Sequence, residues 1–174
     1  MLRRGIATAV VGALVWTGSA AMADVKTLND PNDTQGKLDV RRVIVDHDDR
    51  DRKFKIKTFE GWDKDILEPG KASIRVNLKI DEDSYYSIEI TKDPGGLRAH
   101  VIFCKDGMCN YDQSESVGAT KPNRRTVRFT IRRGMIPKIT DVLRWKVETA
   151  TGSGCDGNCN FDLAPNNGYE RHPL

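Results

Sequence analysis

The 174-residue chain reads as a single all-β domain, a two-sheet antiparallel β-sandwich of jelly-roll or Ig-like kind, with a closed barrel as the competing architecture. Three observations predict this. From Leu38 onward apolar and polar residues alternate in short runs; Gly, Asp and Pro break the runs at spacings of about 10 to 15 residues; and no segment sustains a 3.6-residue apolar period over three turns. Strands that are oily on one side must cover that side, and two facing sheets do so.

The N-terminus is read separately. Arg3 and Arg4, an apolar stretch from Gly5 to Trp16 and the small-residue motif Ala21-Met22-Ala23 form the pattern of a signal peptide over residues 1–23, cleaved near Ala23. The apolar stretch falls short of the roughly 20 residues of a membrane span, so the expectation is export without stable membrane insertion, to the outside or the cell envelope. Removing Arg3 and Arg4 from 28 basic residues leaves 26 against 25 acidic ones, a near balance that argues against bulk electrostatic binding of nucleic acid. Residues 24–37, "DVKTLNDPNDTQGK", are polar and broken by Pro31 and Gly36, an extended lead-in to a domain over 38–174.

Within the domain, "LDVRRVIV" breaks phase between Val40 and Val43, as a bulged strand does. Phe54 and Ile56 mark the next strand. "WDKDILEPG" suits one helical turn ending at Pro69. The clearest strand is Ala72 to Ile80, with Ala72, Ile74, Val76, Leu78 and Ile80 on one face and Ser73, Arg75, Asn77 and Lys79 on the other. Tyr86-Ile88-Ile90, Leu97-Ala99-Val101-Phe103, Val127-Phe129-Ile131 and Leu143-Trp145-Val147 repeat the rhythm, which places Trp145 in the core. Turns are expected at Asp81–Ser84, Lys92–Gly96 and Lys105–Met108, where Asp and Gly accept the positive φ of hairpin turns.

Four cysteines form two local pairs, Cys104 with Cys109 and Cys155 with Cys159, each around an Asp-Gly turn. Three connectivities exist on paper; local disulfides are the reading favoured by an oxidising compartment, and each would contribute about 2 kcal/mol by loop entropy. A four-cysteine zinc site is the alternative, and no histidine lies near either pair. Neither pair has the C-x-x-C spacing of a redox site.

Asp30, Asp33, Asp162, Asn166 and Asn167 place hard oxygens beside turn-forming Pro and Gly near the two ends of the domain, the donor type calcium takes in sets of six to eight. The plain alternative is that they cap turns. "DHDDRD" (Asp46 to Asp51) lacks EF-hand spacing and reads as a solvated hairpin tip. Arg128 and Arg132, extended by Arg75 and Lys79, would form a basic stripe for an anionic polymer, or simply a charged solvent face.

Trp62, Tyr85, Tyr111 and Tyr169 lie in or beside turns, where aromatic faces can stack on sugar rings; individually each is as well explained by packing. Catalytic motifs are missing: there is no G-x-S-x-G, H-E-x-x-H, P-loop or G-x-G-x-x-G, and His47, His100 and His172 are scattered.

The order "NDPNDTQGKLDVRRVIVDHDD", then "FKIKTFEGW", then "FDLAPNNG" resembles small secreted bacterial β-sandwich domains of the carbohydrate-binding or adhesion kind. That resemblance implies a calcium site formed by Asp30, Asp33, Asp39 and Asp162, and no catalytic residue. Taken together, the expectation is an exported, non-catalytic binding or surface-interaction module that binds glycan or cell-envelope polymer, needs no cofactor, and carries a structural calcium site. A secreted hydrolase with a carboxylate-based site and a structural or partner-binding surface protein are the alternatives.

Overall fold

The computed structural model describes residues 24–151 and 160–174; the signal peptide expected over 1–23 and the Cys155–Cys159 pair lie outside the described residues. The described chain is all-β. Its strands are β1 (Asp24–Asn29), β2 (Val40–His47), β3 (Asp51–Thr58), β4 (Ala72–Lys79), β5 (Ser84–Asp93), β6 (Gly96–Lys105), β7 (Met108–Asn123), β8 (Thr126–Arg132), β9 (Val142–Thr151), β10 (Asn160–Ala164) and β11 (Glu170–Pro173). Two 3-10 turns, Lys64–Leu67 and Arg133–Met135, complete the described elements, the first within the "WDKDILEPG" segment as expected. Among the described residues no helix is long and apolar enough to cross a membrane.

Every strand pairing is antiparallel, in the order β1-β2-β3-β8-β7-β6-β5-β4-β9-β10, with β11 also against β9. The result is one continuous sheet that curls until β10 approaches β2, an almost closed barrel. The all-β, antiparallel part of the expectation holds, while hydrogen bonding does not divide the strands into two separate sheets. The 16-residue β7 is the reason: it pairs with β6 over residues 108–118 and with β8 over 119–123, so one strand carries the sheet round the bend. Alternation tells which face of a strand is buried. It is silent on whether the sheet splits or curls.

The lead-in also differs from expectation. Residues 24–29 form β1, in register from Asp24 opposite His47 to Asn29 opposite Arg42, so this segment belongs to the sheet. An edge strand needs no clean apolar alternation, and "DVKTLN" with Val25 exposed gives none. The predicted bulge is present, as a register shift between Val40 and Arg42. So is the hairpin turn at Asp106-Gly107, whose φ angles of 52° and 76° are those the two central residues of a type I′ turn require.

Inside, Trp145, Phe54, Ile56, Ile74, Leu78, Ile88, Ile90 and Ile131 are fully buried, and Phe54 stacks on Phe129 with ring centroids 5.1 Å apart. Each such side chain contributes roughly 1.5–3 kcal/mol of burial. This core holds the barrel wall rigid and fixes the positions of what lies on its rim and outer faces.

Candidate cation site and tyrosine face

At the rim where β10 approaches β2, four carboxylates converge. Asp30, Asp33, Asp39 and Asp162 each offer an oxygen, and these atoms all lie within 4.8 Å of one another. Asp30 directly follows β1 and is held by its N–H to the Arg41 carbonyl (3.0 Å); Asp39 directly precedes β2, with its N–H on the Gly36 carbonyl (3.3 Å). Asp162 comes from β10, opposite Thr149 of β9. Thr149 Oγ1 in turn donates to the Leu38 carbonyl (2.9 Å), drawing the loop down onto the sheet. Gly36 is needed for that approach, since a Cβ there would stand 3.0 Å from Thr151 Oγ1.

Two further contacts bind the ends together. The Val40 N–H donates to Asp162 Oδ2 at 2.6 Å, and Thr34 Oγ1 reaches the Phe161 carbonyl at 3.3 Å. Asn166, expected as a ligand, donates its amide to Asp33 Oδ2 and so joins the cluster through that carboxylate, while Asn167 is exposed.

The electrostatics of this cluster are unfavourable as they stand. Asp30, Asp39 and Asp162 are only 8%, 3% and 4% exposed, and Asp30 Oδ2 and Asp39 Oδ1 are buried with no hydrogen-bond partner among the described residues. No Lys or Arg among the described residues forms an ion pair with any of the four. Burial, then repulsion from Asp162, Asp33 and Asp39, pushes the Asp30 carboxyl up to about 7. Burial and the charges of Asp162 and Asp33 likewise raise Asp39 to about 6, although the Thr34 N–H works the other way. Asp162 is raised by burial against the opposing pull of the Val40 N–H. Four carboxylates supply four to eight hard oxygens depending on how many bind through both, which matches calcium and suits zinc poorly.

A second assembly lies on the outer face of the β4-β5-β9 region. Tyr85, Tyr111 and Tyr169, three of the four aromatics singled out in the sequence, come together there, with Tyr85 in electrostatic range of both others. Tyr111 Oη donates to Glu89 Oε1 (3.4 Å), and Arg75 Nε meets the same oxygen at 2.9 Å. Tyr85 Oη donates to Cys109 Sγ at 3.9 Å. Lys79 and Lys146 lie over the Tyr169 ring, 5.6 and 5.3 Å from its centroid. The cross-strand pair Asn77–Ser87 forms a buried polar floor on this face, and Asn77 Oδ1 has no hydrogen-bond partner among the described residues. Trp62 is elsewhere: it is 3% exposed, with Lys121 Nζ 4.6 Å above its ring, and offers no open face for stacking.

Other expected groups are also placed. Cys104 and Cys109 are cross-strand neighbours in β6 and β7 and form a disulfide, which takes two sulfurs away from a four-cysteine zinc site. The "DHDDRD" tip is a turn: Asp48 Oδ1 accepts the N–H groups of Arg50 and Asp51, and with Lys53 these hold its carboxyl at about 2. Arg75 and Lys79 do not extend the Arg128 stripe, because β4 lies four strands from β8 and Arg75 is paired with Glu89. The histidines are less scattered than the sequence suggests. His47 and His172 meet edge to face, ring centroids 4.7 Å apart, a contact with no sequence signal because it depends on where β11 ends.

No family model matches the chain, and no curated protein or solved structure matches it.

Proposed function

We propose that the chain is an exported, non-catalytic binding module whose barrel is closed by a structural calcium ion held by Asp30, Asp33, Asp39 and Asp162. The observation that carries this reading is the burial of carboxylate oxygens that find no partner among the described residues, within a four-acid cluster that no described Lys or Arg pairs with. A fold that keeps like charges this close gains most from a divalent ion, and oxygen donors select calcium. Calorimetric titration of chelator-treated protein with calcium chloride tests it. One binding event per chain is expected, lost in Asp39→Asn; absence of heat and of any melting shift would end the reading.

The ligand assigned to the module is a glycan bound on the tyrosine face. Three tyrosine rings around a short polar floor, with charged groups at the edge, combine stacking surface with hydrogen-bonding partners for sugar hydroxyls. Retention of the protein on insoluble cell-wall polysaccharide, reduced by Tyr111→Ala, is the expected result. Export is supported by the presequence pattern of residues 1–23 and by the Cys104–Cys109 disulfide; the mass of the protein recovered from its native source is expected to start at Asp24.

A further inference from the structure

A third surface belongs to neither assembly. On the outer face of β2, β3 and β8, the register places Ile44, Lys55, Arg128 and Thr120 in one row across the strands and Arg42 beside Lys57 in the next. Among the described residues, Lys55, Lys57 and Arg128 form no ion pair, and Arg42 donates a hydrogen bond from Nε to Asn29 Oδ1 (2.7 Å). Lys55 and Arg128 stand directly opposite each other, an arrangement that costs stability in a bare sheet. Exposed Arg124 and Arg125, in the turn after β7, add charge at the same end.

Beside this row the wall parts. β7 and β8 pair at Ala119–Phe129, Thr120–Arg128 and Asn123–Thr126, and then diverge, leaving a groove of about 930 Å³ lined by Arg128, Ser116, Thr120 and Thr130, with Arg132 facing Asp51 and Glu115 at its far end. Arginines thus stand along a trough edged with hydroxyl groups.

We propose that this face binds an anionic polysaccharide, its repeated carboxylates meeting Lys55, Lys57 and Arg128 while sugar hydroxyls meet Ser116, Thr120 and Thr130 in the groove. Charge complementarity calls for a polyanion, and alternate residues along a strand set cations roughly 6.6 Å apart, a spacing suited to a chain with regular charges. The surroundings select a sugar polymer over other polyanions. No aromatic ring projects from the outward positions of β2, β3 and β8 to stack a base, and no exposed large apolar residue lies on these strands to enter a lipid surface.

Affinity electrophoresis in native gels containing hyaluronan, a regular carboxylate-bearing polysaccharide, tests the proposal against dextran gels as the neutral control. Retardation by hyaluronan alone is expected, weakening as salt rises and falling about tenfold or more in the double variant Lys55→Gln, Arg128→Gln. Lys71→Gln, an exposed residue in the turn before β4 and away from both assemblies, is expected to leave it unchanged. Because the double variant removes a like-charge pair, it is expected to melt no lower than the parent, and its calcium titration to be unaltered, which separates this proposal from the calcium reading. Equal retardation by dextran, an unchanged double variant, no retardation of the parent, or equally tight binding to phosphatidylglycerol vesicles or a single-stranded oligonucleotide would overturn it.

Discussion

The Val40 N–H donates to Asp162 Oδ2 across 2.6 Å, joining residues 122 positions apart and bringing the start of β2 onto β10. This bond closes the rim on which the four carboxylates sit. Its strength comes from a charged acceptor, yet the same charge repels Asp30 and Asp39. The site is consequently held together and pushed apart by the same group, a conflict that a cation resolves.

Calcium is expected to raise the melting temperature. At a hundredfold excess over Kd, a ligand that binds only the folded state stabilises it by about 2.7 kcal/mol, or roughly 5–10 °C for a domain of this size. Thermal melts with calcium chloride against melts with chelator provide the check.

Asp39→Asn is expected to act in opposite directions with and without the ion. Without calcium it removes a buried charge that is raised to about 6, and the variant should melt a few degrees higher than the parent. With calcium the order reverses, because the variant loses the ligand and with it the ion's stabilisation. A variant that melts lower in both conditions would show that the carboxylate acts through packing or its Thr34 hydrogen bond instead.

The pH dependence of the calcium-free protein follows from the same groups. In the unfolded chain these carboxyls lose their protons near 3.8, while in the fold Asp30 keeps its proton to about 7 and Asp39 to about 6. Between those limits the folded state binds more protons, so stability falls as pH rises from about 4 to about 7. Calcium competes with these protons, so its affinity should climb through the same window. Denaturant midpoints at pH 5 and 7.5 are expected to fall with pH without the ion and to stay nearly level with it.

On the tyrosine face, Tyr111→Ala is expected to weaken glycan retention about tenfold through lost stacking and to leave the calcium-dependent melting shift intact. Loss of both together in a folded variant would mean that the two assemblies are not independent.

Reducing the Cys104–Cys109 bridge, or replacing both residues with Ser, is expected to cost about 2 kcal/mol and so lower the melting temperature by roughly 4–8 °C without unfolding the barrel at room temperature. The core is large and the loop it closes is short.

Much of the wall was legible because it is buried on one side. The alternation in Ala72 to Ile80 and in Leu143-Trp145-Val147 records the inward face directly, and the Asp-Gly pair at 106–107 records a backbone conformation. β7 was not legible, because most of its residues are exposed on both sides of the bend and carry no alternation. Its invisibility is also what made two sheets look more natural than one. The acidic cluster was half legible: Asp and Asn beside Pro and Gly mark oxygen-rich turns, but their convergence depends on β10 reaching β2, a long-range fact that no local pattern encodes. Trp62 shows the opposite error, since a turn neighbour can still be sealed by a lysine from a distant strand.

The location of the acid cluster has a mechanical side. β1 and β11 are the outermost segments of the described chain, and peeling either one inward arrives at Asp30 from one direction or at Asn166 and Asp162 from the other. An ion at that point would act as a rivet on which both ends stop fraying, so a tug on the tails would be borne by metal–oxygen bonds before the greasy interior felt any load.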